Sequence, residues 1–197
     1  MLIQRDARHS PIQPRNVMRS VTAGIVLLLG VLAACVPARR SDFCANTNMN
    51  QLVWEPGFEK AVDEFFGAER GDFFWTDGPV SEQAIAGLGG PPNDLERLGG
   101  GLVMGSACRA HSCDERAAVI VQCPSTIVAV GVKHFPCAFE NAEGRCDLIP
   151  TFTIFSAPGA PELARERLEE WARTESGNAV LPPRIKHRAP HPRGTGP

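Results

Sequence analysis

Apolar positions recur along the chain with two different periods. Phe58, Val62, Phe65 and Phe66 fall three to four residues apart, which places them on one face of a helix that Gly67 ends. Residues 79–88 place Ile85 and Leu88 on a short helix stopped by Gly89, Gly90, Pro91 and Pro92, and residues 94–98 read as one more helical turn. After Gly99, Gly100 and Gly101 the pattern becomes short runs rich in Val, Ile and Phe at 102–106, 117–122, 127–133 and 150–156. Each run is bounded by turn residues, as strands are. Pro161 then opens a last helix, with Leu163, Leu168 and Trp171 as its apolar stripe and Gly177 near its end. Strands joined locally, with helices before and after them, predict an α+β domain with an antiparallel β-sheet of about four to five strands and flanking helices. Residues 36–50 read as polar linker, and the Pro-rich tail, with no apolar period, is expected to be disordered.

Charge changes this picture when it is counted by segment. The whole chain of 197 residues carries a net charge of −2, but four Arg lie within residues 1–34 and four basic residues in 179–197. Residues 35–178 hold 12 basic against 21 acidic side chains, a net charge of −9. An acidic body argues against a nucleic-acid binder, which needs a basic surface for phosphate, and points to basic partners.

The N-terminal segment has the order of an export signal. Arg15 and Arg19 precede an apolar run over 21–32, too short for a membrane-spanning helix, and the run passes into Leu32, Ala33, Ala34 and Cys35. This end resembles a bacterial lipobox, which implies cleavage before Cys35 and its acylation. Two or more acyl chains make anchoring stable, at about 0.8 kcal/mol per buried methylene. Val36 stands where an inner-membrane retention signal usually has Asp, so the resemblance implies a periplasmic protein lipid-anchored in the outer membrane. The expected division is a signal peptide over 1–34, a lipidated linker over 35–50, the domain over 51–178 and the tail over 179–197.

With Cys35 set aside, six cysteines remain: Cys44, Cys108, Cys113, Cys123, Cys137 and Cys146. An even number in an exported chain predicts disulfides, and six cysteines allow 15 pairings. Cys108 with Cys113 and Cys137 with Cys146 are natural local pairs, which leaves Cys44 for Cys123. A bridge between Cys108 and Cys113 would force Arg109, Ala110, His111 and Ser112 into a tight turn between two strands. So short a closed loop gains local rigidity more than global stability, and rigidity lowers the ordering cost of binding.

The sequence Cys108-Arg109-Ala110-His111-Ser112-Cys113, followed by a strand, a turn and a second strand, resembles the Ivy family of inhibitors of vertebrate c-type lysozyme. Its signature is a disulfide-closed loop with the spacing Cys, two residues, His, one residue, Cys. The order of N-terminal helices, loop, sheet and Trp-containing final helix, over about residues 75–174, is similar too. The resemblance implies an inhibitor that is not an enzyme and needs no cofactor or metal. Its partner would be c-type lysozyme, a basic protein, with His111 reaching the catalytic carboxyl pair in the cleft. One carboxylic acid beside one carboxylate is the arrangement known for lysozyme. The family includes dimers, so the resemblance also allows a homodimer. Family loops commonly have Lys-Pro before the His and Asp after it; Arg109-Ala110 and Ser112 depart from that pattern.

Other classes weigh less. Cys108, His111, Cys113 and a further Cys could hold zinc, but structural zinc draws its four ligands from separated pairs, and an oxidising compartment competes for the thiols. The acid pairs Asp63-Glu64 and Glu169-Glu170 read as solvated helix faces rather than a glycosidase dyad. No Gly-x-Ser-x-Gly, His-Glu-x-x-His or phosphate-loop motif occurs. Two alternatives to lysozyme inhibition keep the envelope setting: an adaptor lipoprotein, and a regulator of the cell's own lytic transglycosylases.

Overall fold

The computed structural model describes residues 41–138, 145–177 and 182–190. A 3-10 turn at Phe43–Ala45 leads into helices α1 (Met49–Val53) and α2 (Phe58–Phe66). Two-residue strands β1 (Arg70–Gly71) and β2 (Gly78–Pro79) pair and close a loop over 72–77, and α3 (Val80–Gly87) follows directly. Then come β3 (Glu96–Gly99), β4 (Leu102–Arg109), β5 (Ser112–Gln122) and β6 (Thr126–His134). A small pair, β7 (Cys137–Ala138) with β8 (Arg145–Cys146), precedes β9 (Thr151–Ser156), α4 (Glu162–Glu175) and β10 (Arg184–Arg188).

Six strands form the central sheet in the order β10-β9-β6-β5-β4-β3, antiparallel throughout except for the parallel pair of β9 and β10. Because successive side chains of a strand point to opposite faces, the strands feed two cores. Val103, Ala107, Val119, Val130 and Phe155 pack under α1, α2 and α3. Leu102, Met104, Ile120, Phe152 and Ile154 pack under α4 through Leu168 and Trp171. The fold is therefore α+β, with an antiparallel-rich sheet and helices on both faces.

Cys44 is bonded to Cys123, Cys108 to Cys113 and Cys137 to Cys146, the pairing anticipated from spacing. Three other expectations are corrected. The sheet has six strands, not four to five, because both edges were missed. Residues 94–98 do not add a helical turn: β3 pairs there with β4, since the glycines 99–101 allow the chain to reverse tightly onto the strand beside it. Within the segments assigned as linker and tail, Phe43 and Cys44 are buried and β10 is bonded along β9, so neither segment is wholly unstructured. β10 lacks an apolar period because only Ile185 among its residues is even half-buried; its order comes from the ladder and from ion pairs of Arg184 with Asp147 and Arg188 with Glu69. Among the described residues no helix is long and apolar enough to cross a membrane.

Candidate functional site

β4 and β5 pair antiparallel up to Arg109 opposite Ser112, which leaves Ala110 and His111 as a two-residue turn at the end of the hairpin. The register shifts between Cys108 and Arg109. His111 takes φ +65°, a left-handed backbone uncommon for side chains other than Asn, Asp, His and Gly. Ala110 and His111 are exposed, whereas Cys108 one strand position below Arg109 is buried. The six residues Cys108, Arg109, Ala110, His111, Ser112 and Cys113 thus lie together at one hairpin end, closed by the disulfide.

The base of the hairpin is held from three directions. On the α1–α3 face Arg109 ion-pairs with Glu115 through Nη1, and its guanidinium lies 5.3 Å from the Phe74 ring centroid and 5.8 Å from that of Trp75. A cation over an aromatic face contributes on the order of 0.5–1 kcal/mol when partly exposed. The Arg109 charge is therefore satisfied inside the protein, which makes it a support of the turn. On the α4 face Arg116 Nε donates to the Cys113 carbonyl at 3.1 Å and lies 3.1 Å from Glu175 Oε2 of α4. From the side of β4, Gly90 N donates to the Cys108 carbonyl at 2.8 Å. A Cβ at Gly90 would collide with that oxygen, so the close approach requires glycine.

The aromatic pair is itself positioned by one buried amide. Gln83 Oε1 accepts from the backbone N–H groups of Phe73, Phe74 and Trp75 at 3.0, 2.7 and 3.2 Å. Its Nε2 donates to the carbonyls of Gly71 and Gly78 at 2.8 and 3.1 Å. Gln83 is fully buried, so these bonds replace water for a group that is costly to bury unpaired.

Sequence reasoning missed Phe74, Gln83, Gly90, Glu115, Arg116 and Glu175 as supports of the turn. Only Gln83 left a trace, as a lone amide within the apolar face of α3; the others act through contacts distant in sequence. The remaining expectations are placed as follows. Cys35 lies outside the described residues. Cys137 and Cys146 close the β7–β8 pair, and Cys44 and Cys123 tie the 3-10 turn to the end of β5. Cys108 and Cys113 are bonded to each other, which removes both as zinc ligands. Glu64 pairs with Lys60 and Glu170 with Arg167, each within its own helix.

A cavity of about 330 Å³, lined by Phe65, Thr126 and Ile127 among others, lies at the opposite end of the sheet from the hairpin tip. Beside the tip lies a cleft of about 50 Å³ between Trp75, Glu115 and Phe135. An exposed turn on a braced hairpin presents its side chains outward, where a partner's surface can reach them. No protein-family model, no curated protein and no solved structure matches this chain.

Proposed function

We propose that this protein is an inhibitor of c-type lysozyme that inserts the Cys108–Cys113 hairpin end into the muramidase cleft and acts without catalysis. The observation that carries this reading is the contrast within one hairpin. Ala110 and His111 are exposed, while the residues beneath them are tied to α3, α4 and the 72–77 loop. Such a loop is ordered before it meets a partner, which spares about 0.5–1.5 kcal/mol per side chain that would otherwise be immobilised on binding. His111 is the group that would reach the catalytic carboxyl pair, its two ring nitrogens addressing one carboxyl each. The acidic body complements a basic enzyme and raises the rate of encounter. Acylation of Cys35 would hold the inhibitor on the periplasmic side of the outer membrane, where an incoming lysozyme attacks the wall.

The test is inhibition of c-type lysozyme on cell-wall substrate by the purified protein and by His111→Ala. The substitution leaves the enzyme's carboxyl groups unpaired in the closed cleft and should cost on the order of 2 kcal/mol, roughly thirtyfold in affinity. The melting temperature should fall by no more than a few degrees, since the side chain is exposed and the cost is confined to placing Ala in the left-handed backbone at this position. Equal inhibition by the two proteins would end the cleft-insertion reading. A parallel assay on lytic transglycosylases reports whether the same turn acts on the cell's own enzymes.

A further inference from the structure

The loop between α1 and α2 carries the most exposed aromatic side chain among the described residues: Trp54 is 78% exposed, and Pro56 and Gly57 beside it are exposed too. We propose that this loop is a membrane-surface contact, in which Trp54 enters the headgroup layer of a zwitterionic phospholipid bilayer beside the acylated Cys35. The contact rests on the acylation of Cys35 and is independent of lysozyme inhibition.

The first observation is that the exposure is built into the fold. Trp54 ends α1, its N–H donating to the Asn50 carbonyl at 3.2 Å, and the fully buried Leu52 and Phe58 fix the loop from both sides. An indole is ordinarily covered, because its large apolar area disfavours water. Trp is enriched where an apolar body meets a wet edge, as it does in the headgroup layer of a membrane.

The second observation is where the chain enters the domain. Ser41 Oγ donates to the Pro56 carbonyl, and a Cβ on Gly57 would stand 3.4 Å from the same hydroxyl. Pro56 is two residues from Trp54, so their Cα atoms lie within about 7 Å of each other. Cys35 precedes Ser41 by six residues, a stretch that spans at most about 22 Å whatever path it takes. Acyl chains on Cys35 therefore keep a bilayer within reach of the Trp54 loop. This end of the domain is also the end remote from the hairpin tip: Cys44 is bonded to Cys123 and Phe43 N donates to the Pro124 carbonyl, just past the end of β5. The eleven residues of β5 put roughly 35 Å between that end and Ser112. A bilayer at Trp54 leaves His111 on the side that faces the wall.

Charge selects the lipid. Glu59 is exposed and Glu55 half-buried next to the indole in sequence, and Lys60 is already paired with Glu64, so a uniformly anionic surface would repel the loop. A phosphoethanolamine headgroup offers an ammonium to these carboxylates and a phosphate to Arg39 and Arg40, which stand between Cys35 and Ser41 in the sequence.

The test uses the full-length, processed protein in vesicles of phosphatidylethanolamine and phosphatidylcholine, with and without bromine on the acyl chains, which quenches tryptophan emission at close range. Quenching should appear in the wild type and in Trp75→Phe and be lost in Trp54→Phe, which keeps the fold because the side chain is exposed. Bromine near the headgroup end of the acyl chains should quench more than bromine near the methyl end. Equal quenching in the wild type and Trp54→Phe, or none in acylated, vesicle-bound protein, would overturn the contact and leave the anchor standing. Emission that shifts to shorter wavelength with rising protein concentration, without quenching by lipid, would assign the loop to a second copy of this chain and overturn the contact as well. Mass spectrometry of the same sample separates the two failures: an unacylated Cys35 ends the anchor reading and the contact with it.

Discussion

Gln83 engages three backbone donors and two backbone acceptors, so a single side chain satisfies five groups of the 72–77 loop and its flanking strands. Gln83→Leu keeps the volume and removes all five bonds. Three N–H groups lose their partner in a dry site, and the fold should lose about 3 kcal/mol or more in urea unfolding. A loss below about 1 kcal/mol would show that water reaches the loop. A second residue, His134, ties stability to pH. Its ring is buried edge-on to Phe73, with Nε2 3.2 Å from Thr153 Oγ1, and burial, assisted by the charge of Lys186, pushes its pKa down to about 4. Above about pH 6.5 the folded and unfolded forms are both neutral and this group's contribution is complete. As pH falls from about 6.5 to about 4, the unfolded chain takes up a proton that the folded one refuses, and stability falls by up to roughly 3 kcal/mol. Unfolding curves across that window should show the slope, and His134→Gln should flatten it.

The two disulfides with the clearest tasks differ at the level of the elements they join. Cys44–Cys123 spans 79 residues and ties the start of the domain to the end of β5, whereas Cys108–Cys113 spans five and closes one turn. Loop-closure entropy predicts a loss of roughly 4 kcal/mol when the long bridge is replaced by a Ser pair and roughly half that for the short one. The short bridge should instead govern inhibition: Cys108→Ser with Cys113→Ser should weaken lysozyme inhibition more than the long-bridge variant does, measured on folded protein. The opposite ranking would detach the turn's rigidity from its action. Elements were legible where burial imposes a period. Phe58, Val62, Phe65 and Phe66 are all buried and mark α2, and the β4, β5, β6 and β9 cores lie within the predicted runs. β3 and β10 were illegible because an edge strand of four or five residues with one half-buried apolar side chain has no period to read; long-range pairing alone holds it.

For the whole molecule, the turn itself was legible as a pair of nearby cysteines around a histidine, while the supports that order it come from α3, α4 and the segment at Gly90 and have no local signature. The lipobox reading makes a separate prediction: the wild-type protein should fractionate with membranes and begin at an acylated Cys35 by mass spectrometry, and Cys35→Ser should abolish both. An unmodified N-terminus at another residue would refute the anchor and leave the hairpin argument intact. The placement of the hairpin also bears on how such a protein changes over time. Ala110 and His111 sit outside the ladder and belong to neither core, so under the proposed inhibition the two codons that would face a partner are separate from the many that make the chain fold. Under that proposal, variation at these two positions would change which enzyme the turn fits while the scaffold stays intact. Drift elsewhere is restrained by packing, so an inhibitor built this way would follow a changing opponent by substitutions at its tip.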